Sequence, residues 1–225
     1  MIDGGVAYAA GWQERAITNS DSVRRSRART LRTAQLLIDD AHQLLYVNGE
    51  SFTINQLVAH AGIALQTFYR HFPGKDELLL ATYEHTVETG IADIAATAAH
   101  APAGVKRLRV ILESTIMAAA VQPRTRIIAS EHMRIAHSHP AVVAKVAQSY
   151  RTLVKEAIEA GNRKGSLHSS DPERDARFVS DAVTITVHNL ALGVTTEPVA
   201  QVSEHTCSIL LSALGGRAPR RRRRG

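Results

Sequence analysis

The stretch from Thr53 to Leu78 restricts the fold more than any other part of the chain. Thr53-Ile54-Asn55-Gln56 has the form of a capping box, in which the Thr hydroxyl and the Gln amide satisfy early backbone groups of a helix. Ile54, Leu57, Val58 and Ala61 then recur on one face, and Gly62 ends that helix after about two turns. Beyond Gly62-Ile63-Ala64 the apolar spacing resumes at Leu65, Phe68 and Phe72, which predicts a second short helix with those three residues on its inner face. Pro73-Gly74 breaks the pattern, and Lys75-Asp76-Glu77 opens a longer helix through Leu79, Tyr83, Val87, Ile91 and Ile94. The result is a helix-turn-helix over about 53–72.

Two helices this short need a third to pack against. Leu31, Ala34, Leu37, Ile38, Ala41, Leu44 and Leu45 supply one, at three- and four-residue spacing, with Gly49 as its stop. Downstream, helices are expected at about 103–120, 124–137, 140–163, 171–193 and 197–214. Pro123, Pro140, the span from Gly161 to Gly165 and the start signal Ser170-Asp171-Pro172-Glu173 separate them. No strand alternation competes, so the fold class is all-α: an N-terminal three-helix head carrying the helix-turn-helix, followed by a larger helical domain.

The charge is distributed unevenly. The formal net charge is +6, but Arg220 to Arg224 stand together at one end and Arg24, Arg25, Arg27, Arg29 and Arg32 near the other. Clustered cations favour a polyanion, because neutralising phosphates releases counterions. The one cysteine, Cys207, forms no intramolecular disulfide and lies among apolar residues, which fits a buried thiol in a reducing cytoplasm. No secretory signal and no membrane-spanning run is expected, so the protein is placed in the cytoplasm with no membrane partner. There is no Gly-x-Ser-x-Gly elbow, phosphate-binding loop or His-Glu-x-x-His helix, so no enzyme, catalytic residue or cofactor is expected. The eleven histidines show no ligand spacing, His137-Ser138-His139-Pro140 reading as a turn, and no metal site is expected.

Opposite the apolar face of the second short helix lie Gln66, Thr67, Arg70 and His71, with Tyr69 on the flank. Arg pairs bidentately with guanine and Gln with adenine in the major groove, so Gln66 and Arg70 are the expected base readers. Thr67, Tyr69, His71 and Lys75 are the expected phosphate clamps, and Thr53 is a further expected DNA-binding residue. Arg25, Arg27 and Arg29 are expected to reach a minor groove or flanking phosphates as an arm.

Thr53-Ile54-Asn55-Gln56-Leu57-Val58-Ala59-His60-Ala61-Gly62-Ile63, followed by Thr67-Phe68-Tyr69-Arg70-His71-Phe72-Pro73-Gly74-Lys75-Asp76-Glu77-Leu78, resembles the DNA-binding head of the tetracycline-repressor (TetR) family. The resemblance spans roughly residues 29–85. It departs from the family at Ala64, where Ser or Thr commonly caps the recognition helix, and at Gln66, where Gly is common. Missing periodicity at one end and the run of cations at the other predict a flexible basic extension over 1–26 and a disordered Arg-rich tail over 216–225; the resemblance implies the DNA-binding domain over 27–87 and a regulatory and dimerisation domain over 88–215. It also implies a homodimer on double-stranded DNA, formed through about 171–193 and 197–214, with the last two long helices packing against their copies. Val179 to Val194 is apolar on more than one side, as a helix covered twice must be.

The resemblance implies, further, a repressor released from a palindromic operator by a small hydrophobic effector bound among the central helices. The pocket is expected at Ile116, Met117, Ile128, Met133, Phe178 and Val183, with His132 and His188 as its polar features. The alternative is a nucleoid-type protein that coats DNA regardless of sequence, drawn mainly from the terminal arginines.

Overall fold

The computed structural model describes residues 21–48, 52–121 and 123–216. Among them are nine helices and no strand: α1 Asp21–Asn48, α2 Ile54–Ala61, α3 Leu65–His71, α4 Lys75–Ala99, α5 Val105–Val121, α6 Pro123–Ser138, α7 Pro140–Arg163, α8 Pro172–Ala191 and α9 Val199–Ala213. The fold is all-α, as expected. Contacts divide the chain between Thr82 and Tyr83, so that α4 begins in one unit and continues in the other. Gly49 and the tail Arg220 to Arg224 lie outside the described residues.

In the first unit α1 starts at Asp21 and takes in the arginine stretch, where an irregular arm was expected through residue 26. Arg and Ala are strong helix formers. Thr30 and Thr33 donate their hydroxyls to the carbonyls of Ser26 and Arg29, one turn back. Leu31, expected on the inner face, is instead exposed; the buried stripe begins at Leu37 and continues through Ala41 and Leu45.

Helix α1 packs against both α2 and α3. The capping box of α2 is formed as read: the Gln56 N–H donates to Thr53 Oγ1 at 3.2 Å, and the Thr53 N–H donates to Gln56 Oε1 at 2.7 Å. Gly62 closes α2 in the left-handed region at φ 66°, its N–H donating to the Val58 carbonyl. That conformation is open to glycine and strains other residues. His60, on α2, ties back to α1: its Nε2 lies 3.1 Å from Gln43 Oε1 and 3.6 Å from Asp40 Oδ1.

The second unit is built round α5, which packs against α6, α7, α8 and α9. Leu108, Ile111, Leu112 and Ile116 fill its buried face, joined in one core by Val154 and Ile158 of α7, Val179 and Val183 of α8, and Cys207 and Leu211 of α9. Thr115 and Tyr150 hydrogen-bond at 3.0 Å within it. Asp171 caps α8 by accepting from the Arg174 N–H at 3.1 Å, with Pro172 in the first turn. The far side of α8 is apolar but uncovered in the single chain: Phe178, Ile185 and Leu192 are exposed at seven-residue spacing, and Ile209 is exposed on α9.

Gly161, near the end of α7, lets the buried Leu167 approach the helix. A Cβ at residue 161 would stand 2.5 Å from Leu167 Cδ1 and 2.9 Å from its Cβ. Overpacking of this kind costs about 1–3 kcal/mol. Gly161→Ala is therefore expected to lower the melting temperature, followed by circular dichroism, by about 3 °C or more. An unchanged midpoint would mean that the Leu167 segment yields without cost.

Candidate functional site

Helix α3 is seven residues long and is held by what it buries. Phe68 is fully buried and Phe72 nearly so, their rings 6.0 Å apart. Phe68 also meets the Tyr69 ring edge-on at 5.3 Å, which holds Tyr69 on the flank, half exposed. Ala64, at the N-cap, makes no side-chain cap, as its departure from the family pattern implies. Leu65, expected on the inner face with the two phenylalanines, is instead exposed. It sits on the first turn, where no preceding turn of α3 shelters it.

Gln66, Tyr69 and Arg70 are exposed, and Thr67 and His71 are partly buried. Among the described residues no hydrogen bond or ion pair engages the side chain of Gln66 or Arg70, so their donors and acceptors face solvent. Arg25, Arg27 and Arg29 are exposed on α1, arrayed along a helix where a loose arm was expected. Thr53 is spent on the cap of α2.

Lys75 does something its position in the sequence did not announce. Its ammonium donates to the Phe52 carbonyl at 2.8 Å and lies 4.4 Å above the Phe52 ring. Phe52 is buried just before the cap of α2, so Lys75 fastens the start of α4 to the entry of the helix-turn-helix. This is a positioning role inside the head, in addition to any reach toward phosphate.

The predicted effector residues divide three ways in the second unit. Ile116 and Val183 are core residues with no exposure. Met117 is exposed, as is Phe178, at 67%, which belongs to the outward stripe of α8 and not to an interior pocket. The reason is the 100° step of the helix: Val179 and Val183 take the inward positions, and Phe178 is carried round to the outside. The side chains of Ile128 and Met133, on α6, lie outside the described part.

His132 and His188 do come together. Their rings are 4.8 Å apart, and His132 Nδ1 is 2.8 Å from the hydroxyl of Tyr83. Three helices, α4, α6 and α8, thus each contribute one polar group to a common point. Tyr83 was read only as part of an apolar pattern; a tyrosine in such a run is the signal that could have marked it.

Burial sets the protonation of this cluster. It pushes the Tyr83 phenol up to about 12, so the hydroxyl keeps its proton at neutral pH and shares a hydrogen bond with His132 Nδ1, in which the imidazole tautomer decides the donor. Burial lowers the pKa of both imidazoles, and His132 lowers that of His188 further. Among the described residues there is no group of three or more His, Cys, Asp or Glu placed to hold a metal ion.

Two expectations follow. Lys75→Met keeps the stem but removes the charge that holds the Phe52 carbonyl, and should cost about 1–2 kcal/mol in chemical denaturation. No loss would show that solvent replaces the ammonium freely. The histidines give a pH signature with a definite sign. Their folded pKa values lie below the ordinary 6.5, so the unfolded chain takes up protons first as pH falls. Stability is complete above about pH 6.5 and is lost as pH falls toward the depressed values. His188→Phe should flatten the melting temperature against pH below 6.5; an unchanged slope would assign the acid sensitivity to other groups.

Residues 37–82 match the family described as bacterial regulatory proteins, tetR family. No curated protein matches the chain. Among solved structures, the fatty acid degradation regulator FadR from Bacillus halodurans is similar at 18% identity and a TM-score of 0.68, over 82% of this chain and 97% of that one. The FadR regulator from Bacillus subtilis in complex with stearoyl-CoA is similar at 14% identity and a TM-score of 0.67, over 79% and 97%. RolR in complex with resorcinol is similar at 16% identity and a TM-score of 0.64, over 85% and 92%. These likenesses extend the shared fold past the head. The match to the tetR family of bacterial regulatory proteins thus lies in the head, over residues 37–82, and the solved structures share the fold beyond it.

Proposed function

We propose that this regulator acts as a homodimeric repressor that leaves a palindromic operator when a small, hydrophobic effector binds its second unit. The observation that carries the reading is α3: a short helix anchored by Phe68 and Phe72, with Gln66 and Arg70 held outward and free of internal partners. Gln66 and Arg70 read bases; Thr67, Tyr69 and His71 hold phosphates, with Arg25, Arg27 and Arg29 adding charge along α1. One seven-residue helix touches too few bases for strong specificity, so the reading requires two copies. The uncovered stripe of Phe178, Ile185, Leu192 and Ile209 supports α8 and α9 as the surface on which the copies join.

The effector would enter beside Tyr83, His132 and His188, the polar point of a largely apolar unit. Tyr83 stands on α4, the helix that begins with Lys75 in the head, so a ligand competing for His132 acts directly on that helix. The effect required is modest, since about 1.4 kcal/mol of preference between two states changes operator affinity tenfold. The ligands of the similar regulators, stearoyl-CoA and resorcinol, differ too much in size to name this one. No described helix is long and apolar enough to cross a membrane, which agrees with a protein working in the cytoplasm. A protein coating DNA without regard to sequence would have no use for the two outward base-reading groups.

A footprinting titration on upstream DNA with random competitor tests the reading. Protection of a short inverted repeat is the expected result, and even coverage would overturn it. On the protected site Tyr69→Phe should weaken all sequences alike, whereas Arg70→Ala should lose about 1–3 kcal/mol and relax preference at one position per half-site.

A further inference from the structure

The exposed face of α3 is not uniformly polar. Leu65, Gln66, Tyr69 and Arg70 all face solvent, and residues four apart stand one above the other. Two rows result. One carries the hydrogen-bonding heads of Gln66 and Arg70. The other carries the branched side chain of Leu65, 41% exposed, and the ring of Tyr69, 53% exposed.

A solitary exposed leucine is ordinary. Leu65 is not solitary: it stands beside the two groups of the head best suited to read base edges. A leucine does nothing for a phosphate, and the floor of the major groove offers one apolar feature, the 5-methyl group of thymine. Gln66 narrows the choice further. Adenine is the base that glutamine pairs with through N6 and N7, and the thymine opposite that adenine presents its methyl on the same groove floor. The arginines at 27, 29 and 32, exposed in the same unit as Arg70, supply positive charge that suits this unit to DNA over an apolar protein partner.

We propose that Leu65 is a specificity-determining residue that contacts the 5-methyl group of a thymine in each operator half-site, in the A·T pair read by Gln66 or the step next to it. The inference rests on the operator-binding reading above. It turns a side chain expected in the core into part of the reading face.

The test uses the full chain and the tightest duplex selected from a random pool, remade with deoxyuridine at one thymine at a time, which replaces the methyl by hydrogen and leaves pairing intact. Burying one methyl-sized group is worth about 0.8 kcal/mol, or about fourfold in affinity. At one thymine, or two adjacent ones, per half-site the unaltered chain should lose about fourfold on deoxyuridine substitution. Leu65→Ala should bind the thymine duplex about fourfold more weakly and be indifferent to deoxyuridine there. Leu65→Met, which keeps an apolar group of similar volume, should retain the sensitivity, and equal melting temperatures would exclude a folding effect.

If the unaltered chain and Leu65→Ala lose the same at every thymine, or if no thymine lies in the protected half-site, the proposal is overturned while operator binding stands. Failure of the selection to yield any preferred sequence would overturn both.

Discussion

Seven residues are too few for a helix to persist alone in water, because nucleation fixes several dihedrals before hydrogen bonds repay the loss. Helix α3 also lacks a side-chain cap at Ala64. What holds it is the burial of Phe68 and Phe72, each worth about 1.5–3 kcal/mol. The face proposed to read DNA is therefore a by-product of the face turned inward. Everything that positions those rings shapes recognition at one remove: the capping box that starts α2, the left-handed Gly62 that redirects the chain, and Lys75 on the Phe52 carbonyl.

Local chemistry made most of this legible in the sequence. The Thr53–Gln56 box, Gly62, Pro140 and the Asp171-Pro172 start all act within a few residues, and the helices begin and end near them. Two kinds of feature were not legible. Periodicity locates a helix face only to within about one 100° step, so Leu65, Leu31 and Phe178, at the margins of their stripes, were placed inside and stand outside. Contacts between distant residues leave no periodic trace: Lys75 meets Phe52 across 23 positions and Tyr83 meets His132 across 49. The arginine stretch was read by its charge, which obscured its good helix propensity.

The two units use polar groups in opposite ways. On the outer face of α3 in the head, Gln66 and Arg70 face water. In the second unit Tyr83, His132 and His188 are drawn into a low-dielectric interior, where burial keeps the phenol protonated and disfavours charge on both rings. A polar cluster of this sort is energetically expensive unless its members satisfy one another or a guest does. Tyr83 and His132 do so through a 2.8 Å hydrogen bond, while among the described residues His188 meets His132 through a tilted ring contact.

Cys207 is the only cysteine in the chain, fully buried in the core of the second unit, and burial pushes its thiol up to about 11. At neutral pH almost none of it is the thiolate that attacks alkylating reagents. The native chain is thus close to silent toward thiol chemistry. A cysteine introduced at an exposed position such as Gln66 or Glu156 would be the single reactive sulfur, so fluorophores or spin labels can be attached to either unit without first deleting a core residue.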